Sequence, residues 1–162
     1  MADGWEYLKA QDTISGKEGT LYATIDNNVV AVAEITNISA KITKNKKEIK
    51  VLGHRGTQHK ATGWTGTGQM TIHYVTSMWS KMMLKYVEKG IDTYFKLQCT
   101  NDDPTSSAGK QTVTLLEVNI DEDEIIKLDV DADTLDKQMN FTFSDVAMTE
   151  EFSIHNNVVK SE

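Results

Sequence analysis

Residues 44–79 have the sequence KNKKEIKVLGHRGTQHKATGWTGTGQMTIHYVTSMW, and this stretch decides the fold. Apolar and polar residues alternate up to Val51 and alternate again from Met70 to Tyr74, which is the period of half-buried strands. Between the two patterns lies a long segment, residues 53–68, which we call the arm. Connections longer than roughly 12–15 residues are uncommon in compact domains and tend to be binding elements. We therefore expect the function to lie in the arm.

The charges of the chain are distributed unevenly. A net charge of −7 argues against a general nucleic-acid binder. Residues 41–60 nevertheless contain seven basic residues and one acidic residue, whereas residues 117–151 contain twelve acidic residues and two basic ones. These complementary patches predict either head-to-tail contacts between copies, which generate rings or open filaments, or two solvated faces that keep the protein soluble.

Alternating strand patterns recur along most of the chain. The first pattern ends at Ile25 and is followed by a turn at residues 26–28, so a hairpin opens the domain. A second run extends from Val29 to Thr43. A slip of phase between Leu115 and Leu116 predicts a β-bulge or a strand covered on both faces. Further strands are predicted at residues 95–99, 126–133 and 138–144.

One amphipathic helix is predicted at about residues 77–89. Its apolar residues, from Trp79 to Val87, follow helical spacing, Thr76 or Ser77 is the candidate N-cap, and Gly90 ends the helix. One helix beside seven or eight strands predicts a mainly β fold, in which two packed antiparallel sheets form a sandwich or barrel and the helix covers its open side. With 162 residues and 39% hydrophobic content, we expect a single domain.

Two motifs suggest ligands but fail on inspection. The glycines of GWTGTG, residues 63–68, have the spacing GxxGxG and precede a strand, whereas a phosphate loop leads into a helix. They indicate a flexible or tightly turning arm instead. Asp129, Asp131 and Asp133 resemble the start of a calcium loop, but Thr134 occupies the position of the required glycine. A strand with three carboxylates on its polar face explains their spacing.

The sequence also lacks the motifs of a zinc site and of a catalytic nucleophile. His54 and His59 lack the companion ligands of a zinc site, and no nucleophile motif is present. The acidic run at residues 121–124 is typical of a solvated turn, and Cys99 is typical of a buried small apolar residue. We expect no catalytic residue, no metal site, no cofactor and hence no enzyme. The absence of a signal peptide and of a membrane-spanning apolar run predicts synthesis in the cytoplasm without a membrane anchor.

Several stretches in order resemble one protein family. They are LKAQDTISGKEGTLY near the start, KNKKEIKVLGHRGTQHKATGWTGTG with TIHYVTSMW, YVEKGIDTYFKLQCTNDD, and QTVTLLEVNIDEDEIIKLDVDA before FTFSDV. Over about residues 8–150 the chain resembles the tail tube proteins of contractile phage tails. This family is typified by the PBSX-type defective prophages and includes the tube proteins of Gram-positive R-type bacteriocins.

The resemblance implies a structural subunit that assembles into stacked hexameric rings, the inner tube of a contractile tail. Its partners would be other copies of itself, the tail sheath protein, and tape measure and baseplate proteins, with DNA only as passing cargo in a phage. The subunit would be made in the host bacterial cytoplasm and assembled into a virion tail or bacteriocin particle. The residues implied in contacts between subunits or rings are Lys44, Lys46, Lys47, Lys50, His54, Arg55, His59, Lys60 and Trp64.

The lumen of such a tube should repel what passes through it. Asp129, Asp131 and Asp133 are candidates for the inner wall, because a negative surface does not bind DNA phosphates. Two other hypotheses remain open from the sequence. One is a monomeric β-sandwich module that binds carbohydrate or another ligand, and the other is a barrel enzyme with a diffuse site.

Overall fold

The computed structural model describes residues 8–153, which are mainly β. A 3₁₀ turn at Ala10–Asp12 precedes the strands, and the only α-helix in this part of the chain, α1 (Met78–Lys89), lies between the fourth and fifth strands. The mainly β class with one helix is confirmed. The strands are β1 (Gly19–Ile25), β2 (Asn28–Ala31), β3 (Ile35–Ile49), β4 (Gln58–His73), β5 (Phe95–Asp102), β6 (Lys110–Glu122), β7 (Asp136–Phe143) and β8 (Asp145–Glu150).

The strands are joined in one hydrogen-bonded order, β2-β1-β5-β6-β7-β4-β3, and β8 also pairs with β6. The pairs β1–β2, β1–β5, β3–β4, β4–β7 and β6–β7 are antiparallel, as expected. The division into two sheets is confirmed only in part. Strands β1, β2 and β5 pair with one another, as do β3, β4 and β7, but β6 connects the two sets.

The described residues fall into two compact units. The first contains residues 8–33, 96–115 and 146–153, and the second contains residues 34–95 and 116–145. A single domain over residues 1–162 therefore remains a prediction.

The first unit is built around the hairpin of β1 and β2. Its turn is formed by Asp26 and Asn27, whose φ angles are 49° and 65°, the left-handed values that a two-residue hairpin turn requires. The predicted hairpin is therefore confirmed. The expected continuous run from Val29 to Thr43 is wrong, because β2 ends at Ala31 and β3 begins at Ile35.

The second unit contains a sheet with one apolar and one polar side. In β4 and β7, Met70 pairs with Met139, and both side chains are fully buried. The alternating residues form the polar face, which consists of Asn37, Ser39, Lys41, Thr43, Thr65, Thr67, Gln69, Thr71, His73, Asp136, Gln138, Asn140 and Thr142. This period-2 division is the one that the sequence pattern predicts.

Helix α1 has the expected ends but buries only part of its apolar stripe. Gly90 has φ 68° and its N–H donates to the Tyr86 carbonyl at 2.8 Å, so the helix ends in a left-handed cap. Trp79 is fully buried and packs against Phe95, with 5.6 Å between ring centroids. Tyr86 and Val87 are exposed. In the part of the chain that the structure describes, no helix has the length and apolar character needed to cross a membrane.

The phase slip in β6 has a structural cause. Glu117 has φ 53°, a left-handed conformation inside the strand. Leu115 and Val118, on either side of this distortion, are both buried although they are three residues apart. The predicted irregularity of this strand is confirmed, two residues beyond the slip itself.

The strand predicted at residues 126–133 is wrong. The structure has no strand there, and the apolar side chains of Ile126, Leu128 and Val130 are 81%, 89% and 98% exposed. A segment forms a stable strand only when its backbone groups pair with another strand. The strand that follows this segment, β7, is already paired on both edges, with β4 on one and β6 on the other. We call residues 124–133 the acidic segment.

Candidate functional site: the basic hairpin

The arm is the end of a long antiparallel hairpin. Strands β3 and β4 contain 15 and 16 residues and pair along their whole length, so residues 58–68 are strand and only residues 50–57 connect the two strands. We call residues 44–64 the basic hairpin. Apart from Ile49, which is half-buried, every residue in it is exposed. The sequence did not indicate strand here because neither face is apolar, whereas the backbone ladder forms regardless of side-chain pattern.

The pairing brings several predicted contact residues together. Lys44 lies directly opposite Trp64, and Lys47 lies opposite Lys60. Like charges in this arrangement are destabilising. The positive charge of the hairpin therefore has no explanation in its own folding.

An irregularity in the strand pairing lies between the Lys44–Trp64 pair and the Lys47–Lys60 pair. The register shifts between Asn45 and Lys46, and the Thr62 hydroxyl donates to the Asn45 carbonyl at 3.1 Å. Beyond the shift, Glu48 lies opposite His59, with 4.0 Å between Oε1 and Nε2. Glu48 is the only acidic residue of the basic hairpin.

The tip of the hairpin contains the remaining predicted residues. Lys50, His54 and Arg55 lie in the connection, where His54 Nδ1 is 2.9 Å from the Gly56 carbonyl oxygen. The same tip presents Leu52, whose side chain is fully exposed. This leucine was missed in the sequence because the apolar residues before it, Ile49 and Val51, were assigned to an alternating strand and the residue that follows was not considered. An apolar residue at the end of a polar hairpin is the signal that identifies it.

Trp64 has a partly structural role. Its ring packs against Phe143, with 6.1 Å between centroids and an interplanar angle of 48°, and the residue remains 41% exposed. The two glycines that follow, Gly66 and Gly68, pair with Phe143 and Phe141. A Cβ at either glycine would lie within 2.5 Å of the opposing ring. The glycines of GWTGTG therefore make room for aromatic rings in a sheet, and the expectation of a flexible or tightly turning arm at this point is wrong.

The lumen candidates Asp129, Asp131 and Asp133 are exposed but do not lie on a strand. The Asp131 N–H donates to Asp129 Oδ1 at 3.0 Å, a local turn contact. The expectation that these three side chains line one face of a strand is therefore wrong for this single copy of the chain. Their role at a lumen stays a prediction.

The acidic run at residues 121–124 is not simply a solvated turn. The Asp123 and Lys137 side chains are completely buried, with 2.8 Å between Lys137 Nζ and Asp123 Oδ1. The Ser80 hydroxyl donates to Asp123 Oδ2 at 2.8 Å, and Lys137 Nζ donates to the Ser80 hydroxyl at 3.1 Å. Lys137 occupies an apolar-face position of β7, so a buried ion pair ties this strand to α1 and to the end of β6. This network was not predicted.

A cavity of about 280 Å³ lies beside the helix. Its lining includes Met82, Met83, Tyr86, Asn119 and Asp121. Burial, together with the charge of neighbouring Glu122, raises the pKa of Asp121. The lining also contains Asp92, which accepts a hydrogen bond from the Asn119 side-chain amide at 2.6 Å. The two carboxyl groups have no histidine, lysine or cysteine beside them in this lining, so they do not form a nucleophile and base pair.

Metal and thiol chemistry have no clear site here. Within residues 8–153, no group of three or more histidine, cysteine, aspartate or glutamate residues is placed to hold a metal ion. Cys99 is partly buried, and burial raises the pKa of its thiol, which disfavours the reactive thiolate.

The sequence of residues 6–150 matches the family described as "Phage tail tube protein". The chain belongs to this phage tail tube family. The family is one of structural proteins, so the expectation that the chain is not an enzyme is confirmed, as is the resemblance to the PBSX-type tube proteins.

Two relatives of this tail tube protein come from Bacillus subtilis strain 168. The phage-like element PBSX protein XkdM is 44% identical over 146 residues, covering 90% of this chain and 97% of XkdM. The uncharacterized protein YqbM is 44% identical over 144 residues, covering 89% of this chain and 95% of YqbM.

Solved structures show the same fold at much lower identity. A chain of the sheath–tube complex of PVC, an extracellular contractile injection system, matches with a TM-score of 0.64 at 7% identity, covering 86% of this tail tube protein and 93% of that chain. A chain of the anti-feeding prophage baseplate matches with a TM-score of 0.63 at 13% identity, covering 81% and 91%. These likenesses concern the fold alone.

Proposed function

We propose that this protein is the subunit of the inner tube of a contractile phage tail or R-type bacteriocin, and that copies assemble into stacked hexameric rings. The observation that carries the proposal is the basic hairpin, a paired extension of 21 residues, 44–64, none of which is buried. The family membership supplies the setting, a tail tube.

The hairpin is poorly explained by the stability of one copy. A two-stranded ribbon that is wet on both faces is at best marginally stable by itself. This one also places Lys47 opposite Lys60 and exposes Leu52 at its tip. Contact with a neighbouring copy would neutralise the paired lysines and remove the leucine from water, which stabilises an assembly by roughly 1.5–3 kcal/mol for the leucine alone.

The surface that receives the hairpin is acidic in this proposal. Residues 117–151 provide twelve acidic side chains, ten of which are exposed. A basic projection from one copy on an acidic surface of the next is a heterologous contact, and such contacts close into rings or continue as filaments. The contact residues are then Lys44, Lys46, Lys47, Lys50, His54, Arg55, His59, Lys60 and Trp64, joined by Leu52.

The proposed partners follow from the same setting. Fold relatives occur in a sheath–tube complex and in a six-fold symmetrised baseplate, which supports a hexameric ring with sheath and baseplate proteins as neighbours. A tape measure protein would occupy the lumen during assembly, and DNA would pass through it only in a phage. Synthesis in the host cytoplasm precedes assembly of the tail.

The polar face of β3, β4 and β7 is suited to a conduit wall. Among its thirteen members Lys41 is the only lysine or arginine, and His73 lies opposite Asp136 at one end of the face. A wall with few cations has little electrostatic affinity for phosphates, and carboxylates from Asp129, Asp131 and Asp133 would weaken that affinity further. We propose that these three aspartates join the polar face at the lumen.

Negative-stain electron microscopy of the purified protein over a concentration series tests this function. The proposal predicts rings or hollow tubes, with ring and stack contacts that together bury more than about 2,000 Å² per protomer, as obligate interfaces do. A particle that stays a compact monomer at every concentration would contradict it and would favour the monomeric ligand-binding module.

A further inference from the structure

We propose that residues 126–131 of the acidic segment add as an extra strand to the free edge of β3 in a second copy of the chain. This inference rests on the proposed self-assembly and assigns the surfaces that meet. It concerns an interaction of backbone ladders, distinct from the contacts of the basic hairpin.

The acidic segment has the composition of a strand without the conformation of one. Ile126, Leu128 and Val130 alternate with polar residues, and all three are more than 80% exposed. Burying an aliphatic side chain of this size is stabilising, so its exposure to water is unfavourable. Three such side chains held in water at strand spacing indicate a segment whose partner lies outside this copy of the chain.

An unpaired edge is available on β3. This strand stands at the end of the sheet and pairs only with β4 among the described residues, so one row of its N–H and C=O groups faces away from the sheet. The edge strand at the opposite end, β2, has four residues, whereas β3 has 15. A long edge strand is a template for β-augmentation by another chain.

The two surfaces match face by face. On β3, Ile38, Ala40 and Ile42 lie on the apolar side, as the pairing of Ile38 with buried Met70 shows. Ile126, Leu128 and Val130 repeat that spacing of two residues. A parallel register that sets Leu128 beside Ala40 therefore places apolar side chains beside apolar side chains along the whole match.

The same register matches the charges. Asp129 then lies beside Lys41, on the polar face, and Asp131 follows on that face beside Thr43. Asp133, the last acid of the segment, continues toward the lysines of the basic hairpin. One opposite-charge pair between neighbouring strands contributes less than the burial of three aliphatic side chains, so charge sets the register while the aliphatic side chains supply most of the stabilisation.

Cross-linking between two differently tagged populations tests the register. In a Cys99→Ser background, one population carries Leu128→Cys and the other Ala40→Cys, and a short bismaleimide is added to the mixture. Positions 40 and 128 are exposed, so both variants should fold, which circular dichroism checks. The matched control replaces Leu128→Cys by Asp129→Cys, which the register places on the opposite face of the sheet.

The expected result is a cross-linked product with both tags, formed several-fold faster with Leu128→Cys than with Asp129→Cys. Electron microscopy of the same samples separates the possible failures. Rings or tubes without preferential cross-linking would overturn the added strand and leave the tube function intact. The absence of any assembly would overturn both.

Discussion

Gly68 of β4 lies directly opposite Phe141 of β7, and the phenylalanine ring covers the glycine. A Cβ at position 68 would lie 2.4 Å from Phe141 Cζ and 2.7 Å from the Ser39 carbonyl oxygen. An aromatic ring placed over a sheet glycine fills the space that the missing side chain leaves. Glycine in this strand is therefore a packing requirement.

Gly68→Ala is expected to lower the free energy of unfolding by about 1–3 kcal/mol, because overpacking forces the ring or the backbone to move. Urea denaturation measures the loss. Gly63→Ala is the matched control in the same strand, since nothing lies within 4 Å of a Cβ there. Equal stability of the two variants would show that Phe141 adapts without cost.

The buried pair of Asp123 and Lys137 predicts a large effect of removing one partner. Asp123→Ala leaves the Lys137 ammonium buried without its counter-charge, and the expected loss is about 3–5 kcal/mol in the free energy of unfolding. Thermal or urea unfolding provides the measurement. The double variant Asp123→Leu with Lys137→Met should recover much of the loss.

A surface ion pair nearby serves as the control. Lys127 and Glu124 are 3.4 Å apart and partly exposed, so Glu124→Ala should cost no more than about 1 kcal/mol. If Asp123→Ala were as mild as Glu124→Ala, the buried network would not stabilise the fold.

Asp103 predicts a dependence of stability on pH. Hydrogen bonds from the Thr105 hydroxyl and from the backbone N–H groups of Ser15 and Thr105 lower the pKa of this buried carboxyl. Because the folded pKa lies below the unfolded one, the stabilisation is present above the unfolded value of about 3.9 and is lost as pH falls through the folded pKa.

Asp103→Asn should therefore lower the free energy of unfolding near neutral pH, and its difference from the unmodified protein should shrink below about pH 4. Urea titrations at a series of pH values measure this difference. Asp102→Asn, at the exposed neighbouring position, is the control and should have a smaller effect. A difference that is constant with pH would exclude the charge of Asp103 as the cause.

The elements that were predicted correctly are those whose ends are set by the conformational preferences of a few neighbouring residues. Asp26 and Asn27 tolerate positive φ, and Gly90 ends a helix, so the first hairpin and α1 were expected near their observed positions. The burial of individual charged residues was harder to predict. Lys137 lies at an apolar-face position of β7, and its partner Asp123 belongs to an acidic run that is typical of a turn.

Two longer elements were misassigned for opposite reasons. Residues 58–64 form strand without an apolar face, since backbone pairing with β3 suffices. Residues 126–133 have the alternating pattern but pair with no strand among residues 8–153, so the pattern alone does not produce a strand. The basic residues of the candidate site were found from charge, whereas Leu52 was missed because its exposure depends on the position of the turn.

Charge reversal tests the electrostatic part of assembly. Lys44→Glu, Lys46→Glu and Lys47→Glu together should strongly reduce the assembled fraction measured by light scattering, because they place negative charge against the acidic surface. Assembly of the unmodified protein should also weaken with salt, since screening shortens the reach of charges from about 10 Å at 0.1 M to about 3 Å at 1 M.

Reversal of three helix lysines controls for net charge. Lys81, Lys85 and Lys89 are exposed on α1, and their replacement by glutamate changes the total charge by the same amount. This variant should assemble much more than the hairpin variant. Equal loss in both would mean that overall repulsion, not the hairpin, controls assembly.

The most direct test of the central claim is sedimentation velocity of a variant in which residues 47–60 are replaced by Asn-Gly. The β3–β4 pairs up to Lys46 and Ala61 are kept, and the deleted residues contribute no buried side chain. We predict that the unmodified protein sediments as large assemblies and that the shortened variant sediments as a folded monomer with the β signal retained in circular dichroism. Assemblies of the same size and yield from the shortened variant would contradict the claim that copies associate through the basic hairpin.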